Sequence, residues 1–264
     1  MQKAIELLKG FTGHENVRLT CSGNSAILSS LILAKQKNKK KYILIPDQGG
    51  WFTYENYPEL LGFKVKYLKT DRGLVNLKEL EKNLDDVSAL LVCSFAGYAA
   101  EQNIKGISKV LKKKNVLLIE DASGSVTDKK LADGKYSDII IGSFGRWKAV
   151  DVGYGGFLST NFKDLKVALS IAKVHNNLYK DLIPKLNSNR LDCLLKKQKQ
   201  VKKELRKFKI FHGEKRGLNI LIEHKKEVID YCKKNNYPFV ECPNYTKVVE
   251  KAISIELKRL ECHL

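Results

Sequence analysis

Apolar runs that alternate with helix-period segments constrain this chain more than any other feature. The runs ALLVC (89–93), VLLIE (116–120) and DIIIGSF (138–144) show almost no polar alternation. Strands that read this way are buried on both faces, as happens when helices cover both sides of a parallel sheet. Strands are expected at 17–21, 42–46, 64–68, 89–93, 116–120, 138–143 and 156–160. Helices are expected between most of them, at 25–34, 54–61, 77–84, 104–113 and 162–174. The fold class is therefore α/β: three layers, α/β/α, around a mostly parallel central sheet. Beyond about residue 176 the pattern changes. A long basic helix is expected at 191–208, a strand at 218–224, a helix at 225–235 and a strand at 251–260. This divides the chain into a large domain with its following basic helix, 1–208, and a small αβ segment, 209–264.

The chain has 264 residues, 43% of them hydrophobic, which is enough for a sizeable core. It lacks the run of about 18 apolar residues that a membrane span needs. The first residues, MQKAIELLKGF, read as an amphipathic helix and not as a signal peptide, so a cytoplasmic protein is expected. The six cysteines are scattered without a CxxC pair, and reduced thiols are expected, several of them in strands. The five histidines are equally dispersed, and no metal site is expected.

The net charge of +19 is concentrated in lysine runs such as KQKNKKK (35–41), KKK (112–114) and KKQKQVKK (196–203). Such runs suit RNA or another polyanion. They equally suit a lysine-rich solvated surface of the kind seen in thermophile proteomes. Aromatics do not interleave with the runs and arginine is scarce, so the solvated surface is favoured over RNA.

In sheets of this class ligands gather at the carboxyl ends of the strands. The first strand ends in TCSGNS, where Ser22, Gly23 and Asn24 open a helix. Free amides and the helix dipole suit a phosphate there, although a plain N-cap has the same appearance. The second strand leads through Gly-Gly to Trp51, whose indole can lie on a ring-shaped ligand or pack a helix onto the sheet. A later strand runs into Glu120 and Asp121; a buried acid there needs a cationic partner, and a capping Asp is the plainer alternative. Ser143 ends the next strand, and Lys148 follows five residues on, before GYGG. A lysine in a partly dry site gives up its proton more easily, and a neutral amine forms a Schiff base with an aldehyde. Most lysines of this chain are simply solvated. Together, an anion cradle, a carboxylate, a flat ring and a lysine are what pyridoxal 5'-phosphate requires.

The order and spacing of these pieces resemble the DegT/DnrJ/EryC1/StrS family, the sugar aminotransferases among the fold-type-I pyridoxal-phosphate enzymes. The resemblance rests on CSGNSAILSSL, ILIPDQGGWFTYENYPELLGFKVKYL, VLLIEDASGSV, GSFGRWKAVDVGYGGFLST and LNSNRLDCL, and covers roughly residues 4–210. It implies that Lys148 forms the Schiff base and shuttles a proton, that Asp121 pairs with the pyridinium nitrogen, and that Trp51 stacks on the ring. Ser22, Gly23, Asn24 and Ser143 hold the phosphate in this reading. Asn187 or Asn189 reaches the phosphate of a neighbouring subunit, which implies a homodimer with shared sites. The implied partners are an amino-acid donor and a keto acceptor, possible acceptors including a nucleotide-linked sugar. The chain departs from the family pattern at Asn24, where Thr is usual, at Gly124, where Gln or His is usual, and at Tyr154, where Glu is usual. Its C-terminal part is also much shorter than the family's. Two other classes stay open: a pyridoxal-phosphate enzyme acting on an amino acid or aminoacyl-RNA, and a non-catalytic relative serving as a binding or regulatory module. No G-x-G-x-x-G or P-loop supports a nucleotide-binding protein.

Overall fold

The computed structural model describes residues 2–169, 174 and 177–262. Helix α1 (Gln2–Thr12) leads into β1 (Asn16–Thr20), α2 (Gly23–Lys37), β2 (Tyr42–Pro46), α3 (Thr53–Leu60), β3 (Lys64–Leu68), α4 (Leu77–Lys82) and β4 (Val87–Cys93). A small hairpin, β5 (Phe95–Ala96) and β6 (Ala100–Glu101), precedes α5 (Ile104–Lys112), β7 (Leu117–Asp121), β8 (Ile139–Ser143) and β9 (Gly156–Thr160). Helices α6 (Lys166–Leu169), α7 (Leu178–Leu186) and α8 (Arg190–Glu204) follow. The chain closes with β10 (Ile210–Phe211), β11 (Ile220–Glu223), α9 (Lys226–Lys234), β12 (Phe239–Asn244), β13 (Val248–Ile255) and a 3₁₀ turn at Leu257–Arg259.

Seven strands form the large sheet in the order β1-β9-β8-β7-β4-β2-β3. The pairs from β3 to β8 are parallel, and β9 runs antiparallel to both β8 and β1. The reason for the unbroken apolar runs is visible along β4, where all seven residues are buried. Side chains alternate across a strand. Leu90 and Val92 therefore join the core under α4 and α5, while Ala89 and Leu91 join the opposite core with residues of α2 and α3. A fully buried leucine contributes roughly 1.5–3 kcal/mol, so both faces hold helices firmly. Local signals set the helix starts: Ser22 and Ser25 form a reciprocal capping box on α2, and Asn76 and Asn103 cap α4 and α5.

The small sheet is antiparallel, in the order β10-β11-β13-β12. Helix α8 joins the two bodies. Its Leu191 and Leu194 lie in the large core, and its Val201 and the C-cap Leu205 in the small one. Arg216 ties the small domain back by pairing with Asp128 at 2.8 Å and with Glu101.

Several expectations need correction. The strand expected at 251–260 is β13, which ends at Ile255 and gives way to the 3₁₀ turn. Strands β10 and β12, the β5–β6 hairpin and helix α7 carry too short or too mixed a pattern to stand out in the sequence. Of the helix expected at 162–174, the structure shows α6 at Lys166–Leu169, and residues 170–173 lie outside the described residues. The cysteines are not all reduced: Cys193 and Cys262 form a disulfide across 69 positions, with Cα atoms 6.1 Å apart. No local spacing encodes such a bridge, because packing of the last residues against α8 creates it. Cys21, Cys93, Cys232 and Cys242 are free thiols. Glu120 also differs from the expected acid with a cationic partner. It is fully buried and accepts from Ser94 at 2.7 Å, from the Ala132 amide at 2.9 Å and from Ser137. Burial pushes its carboxyl up, and these donors only partly offset that.

Candidate active site

The carboxyl ends of the parallel strands open onto one cavity of about 270 Å³. Ser22, Gly23, Asn24, Trp51, Asp121, Ser143 and Lys148 all line it, together with Cys93, Tyr98 and Ser123. Asn187 and Asn189 do not. They line other clefts, with Ser188 between them, where α7 meets α8. Asn187 is the C-cap of α7 and spends its side-chain amide on the Ile183 carbonyl at 2.9 Å.

Each wall has a local cause. Gly23 and Asn24 are the first residues of α2, so their amides have no intrahelical acceptor, and no acidic residue occupies the first turn. Gly23 is obligatory, since a Cβ there would lie 2.6 Å from Cβ of Ser143. Ser143 Oγ accepts from the Gly145 amide at 3.1 Å and also borders the cradle. Opposite, Trp51 donates from Nε1 to Asn24 Oδ1 at 3.0 Å. The indole thus belongs to the cavity wall and does not pin a helix to the sheet.

Asp121 ends β7 at the cavity floor. Its Oδ2 accepts from the Tyr54 hydroxyl at 2.7 Å and its Oδ1 from the Ser123 amide at 2.9 Å. Lys148 sits in the turn after β8. The Trp147 amide donates to Asp151 Oδ2 at 2.7 Å, and Arg190 donates to the Lys148 carbonyl at 3.1 Å, so the turn is held on both sides. Lys148 Nζ lies 5.3 Å from the Trp51 ring and donates to the Tyr98 hydroxyl at 2.6 Å. Burial lowers the affinity of Lys148 for its proton, and Asp121 is the strongest of the groups that oppose this. Burial holds the Tyr98 phenol well above its ordinary value and pushes the Cys93 thiol up to about 12, so both stay protonated.

The sequence reading missed Tyr54, Tyr98 and Ser123. Tyr98 follows strand β4 in SFAGY, a strand-end position that the same rule reaches. It also explains the bare Gly124. A Cβ on Gly124 would meet Tyr98 Cε1 at 3.1 Å and Phe95 Cδ2 at 3.3 Å, so the Tyr98 ring stands where a larger side chain would be.

These groups fit pyridoxal phosphate: a helix start closed by a glycine for its phosphate, a buried carboxylate for its ring nitrogen, and a partly buried lysine for its aldehyde. The family profile of the DegT/DnrJ/EryC1/StrS aminotransferases matches residues 4–181, two thirds of the chain. The chain belongs to the DegT/DnrJ/EryC1/StrS aminotransferase family. Residues 188–264 match a different description, the MJ1341 family C-terminal domain. No curated protein sequence matches the chain.

Solved structures agree on the fold. A DegT/DnrJ/EryC1/StrS aminotransferase from Brucella abortus superposes with a TM-score of 0.72 at 14% identity, covering 97% of this chain and 84% of that one. Alanine–glyoxylate aminotransferase from Nostoc sp. gives 0.74 at 14% identity, covering 97% and 80%. Sphingosine-1-phosphate lyase from Burkholderia pseudomallei gives 0.75 at 12% identity, covering 96% and 70%. Among the described residues, no helix is long and apolar enough to cross a membrane.

Proposed function

We propose that this DegT/DnrJ/EryC1/StrS family member is a pyridoxal-phosphate-dependent aminotransferase that moves an amino group from an amino-acid donor to a keto group, with a nucleotide-linked sugar as acceptor. The observation that carries the reading is the meeting in one cavity of Asp121, at the end of β7, and Lys148, in the turn after the neighbouring β8. When bound, the cofactor supplies an aldehyde for an amine to attack and a ring that takes up an electron pair. Lys148 holds the cofactor and moves a proton at Nζ, aided by the burial that loosens its own. Asp121, fixed by Tyr54 and Ser123, keeps a proton on the ring nitrogen. Ser22, Gly23, Asn24 and Ser143 bind the phosphate, and Trp51 covers the ring and excludes water.

In this reading Asn187 and Asn189 serve a neighbouring subunit, and the protein is a homodimer. Their position outside the Lys148 cavity, on clefts at the α7–α8 junction, suits that role. The chain divides after residue 208, between α8 and the small sheet. A cytoplasmic setting agrees with four free thiols, and one disulfide in a lysine-rich chain matches the disulfide-bearing intracellular proteins of hyperthermophiles.

The deciding experiment mixes purified protein with pyridoxal phosphate, records the visible spectrum, reduces with borohydride, and locates the pyridoxyl group by mass. A yellow species and a single label on Lys148, both lost in Lys148→Ala, are expected. Label spread over surface lysines, with no visible band, would mean a fold that has lost its chemistry.

A further inference from the structure

The small domain brings a second cluster of charge against Tyr98. Lys258 Nζ lies 4.5 Å from the Tyr98 ring centroid and Lys247 Nζ 5.4 Å, on the ring that Lys148 Nζ approaches to 4.9 Å. Arg259 stacks its guanidinium 4.8 Å from the Trp147 ring, and Lys258 lies 6.0 Å from the same indole. One carboxylate answers Lys247, Lys258 and Arg259. Glu256, wholly buried, faces Lys247 at 3.3 Å, Arg259 at 3.5 Å and Lys258 at 3.7 Å. It also accepts from Ser254 and Asn219, so its capacity is already shared.

The balance is uneven. Lys148, Lys247, Lys258 and Arg259 gather around Glu256 and Asp121. Lys247 and Lys258 are 6% and 7% exposed. A buried cation without its own counter-ion is costly, and proteins ordinarily pair it. Burial has driven Lys258 down to about 7 and lowered Lys247, as expected where positive charge is in excess. Arg259 Nε faces Glu256 Oε2 without a hydrogen bond between them. Arg259 and Trp147 remain 32% and 41% exposed and open the cluster to solvent. Lys247, Glu256, Lys258 and Arg259 lie in residues 188–264, outside the part of the chain that matches the aminotransferase family, whereas Asp121 and Lys148 lie within it.

We propose that Lys247, Lys258 and Arg259 form a subsite for an anionic group, carboxylate or phosphate, on the substrate whose amine or keto group reaches Lys148. The anionic group of the bound substrate supplies the counter-charge that the three cations lack. The proposal rests on the aminotransferase reading for the identity of that substrate. The anion binds on Arg259 at the mouth, with the Lys258 and Lys247 ammoniums behind it, where low water content strengthens each contact. Tyr98 is the shared wall between this subsite and Lys148.

The test uses the full chain without cofactor, titrated with succinate and separately with inorganic phosphate at constant ionic strength, followed by calorimetry and tryptophan fluorescence. Saturable binding of one of them is expected, and the stronger of the two identifies the group. Arg259→Gln and Lys258→Met should each weaken it at least tenfold, with Arg259→Lys retaining part of it. The double variant Lys112→Gln/Lys113→Gln, at the C-terminal end of helix α5, should leave it unchanged. Circular dichroism of each variant establishes that it is folded. No saturable binding of either anion, or equal binding by all variants, overturns the proposal. Borohydride labelling of the same proteins separates the two readings. Label on Lys148 in Arg259→Gln with anion binding lost supports the subsite. Wild-type protein that binds the anion through Arg259 but takes no label keeps the subsite and removes the cofactor.

Discussion

Tyr98 accepts a 2.6 Å hydrogen bond from Lys148 Nζ. The backbone carbonyl of Tyr98 accepts from the Leu218 and Asn219 amides at 2.7 and 2.9 Å. Tyr98 also holds a positive φ of 63°, unusual for a bulky residue, at the tip of the β5–β6 hairpin. The small domain thus fixes the residue that touches the candidate nucleophile, and the position of Lys148 is tied to both domains.

Tyr98→Phe removes the acceptor from a lysine that burial already disfavours in its charged form. A hydrogen bond to a charged group is worth about 1.5 kcal/mol or more, or about one pH unit. The midpoint of pyridoxal-phosphate labelling of Lys148 against pH should move down by about that much, so more label forms at neutral pH. An unmoved midpoint would show that the hydroxyl gives the ammonium no support.

Gly23→Ala places a methyl 2.6 Å from Ser143 Cβ, where neither backbone can yield cheaply. Overpacking of this kind costs about 1–3 kcal/mol. The thermal midpoint should fall, and a spectroscopic titration should show pyridoxal phosphate binding at least tenfold more weakly. Full stability with full cofactor affinity would remove Gly23 from the cradle.

Lys258 has an ordinary value of 10.5 and is brought down to about 7 in the fold. Between those values the unfolded chain binds a proton that the folded chain does not. Stability therefore rises with pH across that window, and the penalty is fully present below about pH 7. Lys247, Glu256, Lys148, Arg259 and Tyr98 surround this group and share its titration. Lys258→Met should stabilise the protein near pH 6 by on the order of a few kcal/mol, and the gain should shrink towards pH 10. Urea midpoints at pH 6, 8 and 9.5 measure this; parallel curves for wild type and variant would contradict it.

Reduction of Cys193–Cys262 frees a loop closed by residues 69 apart. Loop-closure entropy for that length gives a loss of about 4 kcal/mol. Urea unfolding with and without a phosphine reductant should separate by that amount, and Cys193→Ser should match the reduced protein. Coincident curves would mean that the bridge constrains little in the unfolded chain.

The sequence by itself determined the large sheet and most of its cavity. Strands buried on both faces announce themselves through short apolar runs, and strand ends in such a sheet face one side. Ser22, Gly23, Asn24, Trp51, Asp121, Ser143 and Lys148 were therefore legible one strand at a time. The tertiary structure decided what surrounds them. Tyr54 and Tyr98 reach the site through their ring lengths, and Glu120 lies on hydroxyls and an amide and not on a cation, which no run of residues records. Cys193 meets Cys262, and Lys247, Lys258 and Arg259 crowd one buried carboxylate, only because the last residues fold back onto α8 and the hairpin. A lysine in a sequence carries the same letter whether water or a tyrosine ring surrounds it. Its charge state is set by dehydration and by neighbours from distant segments, and those exist only once the two domains have packed.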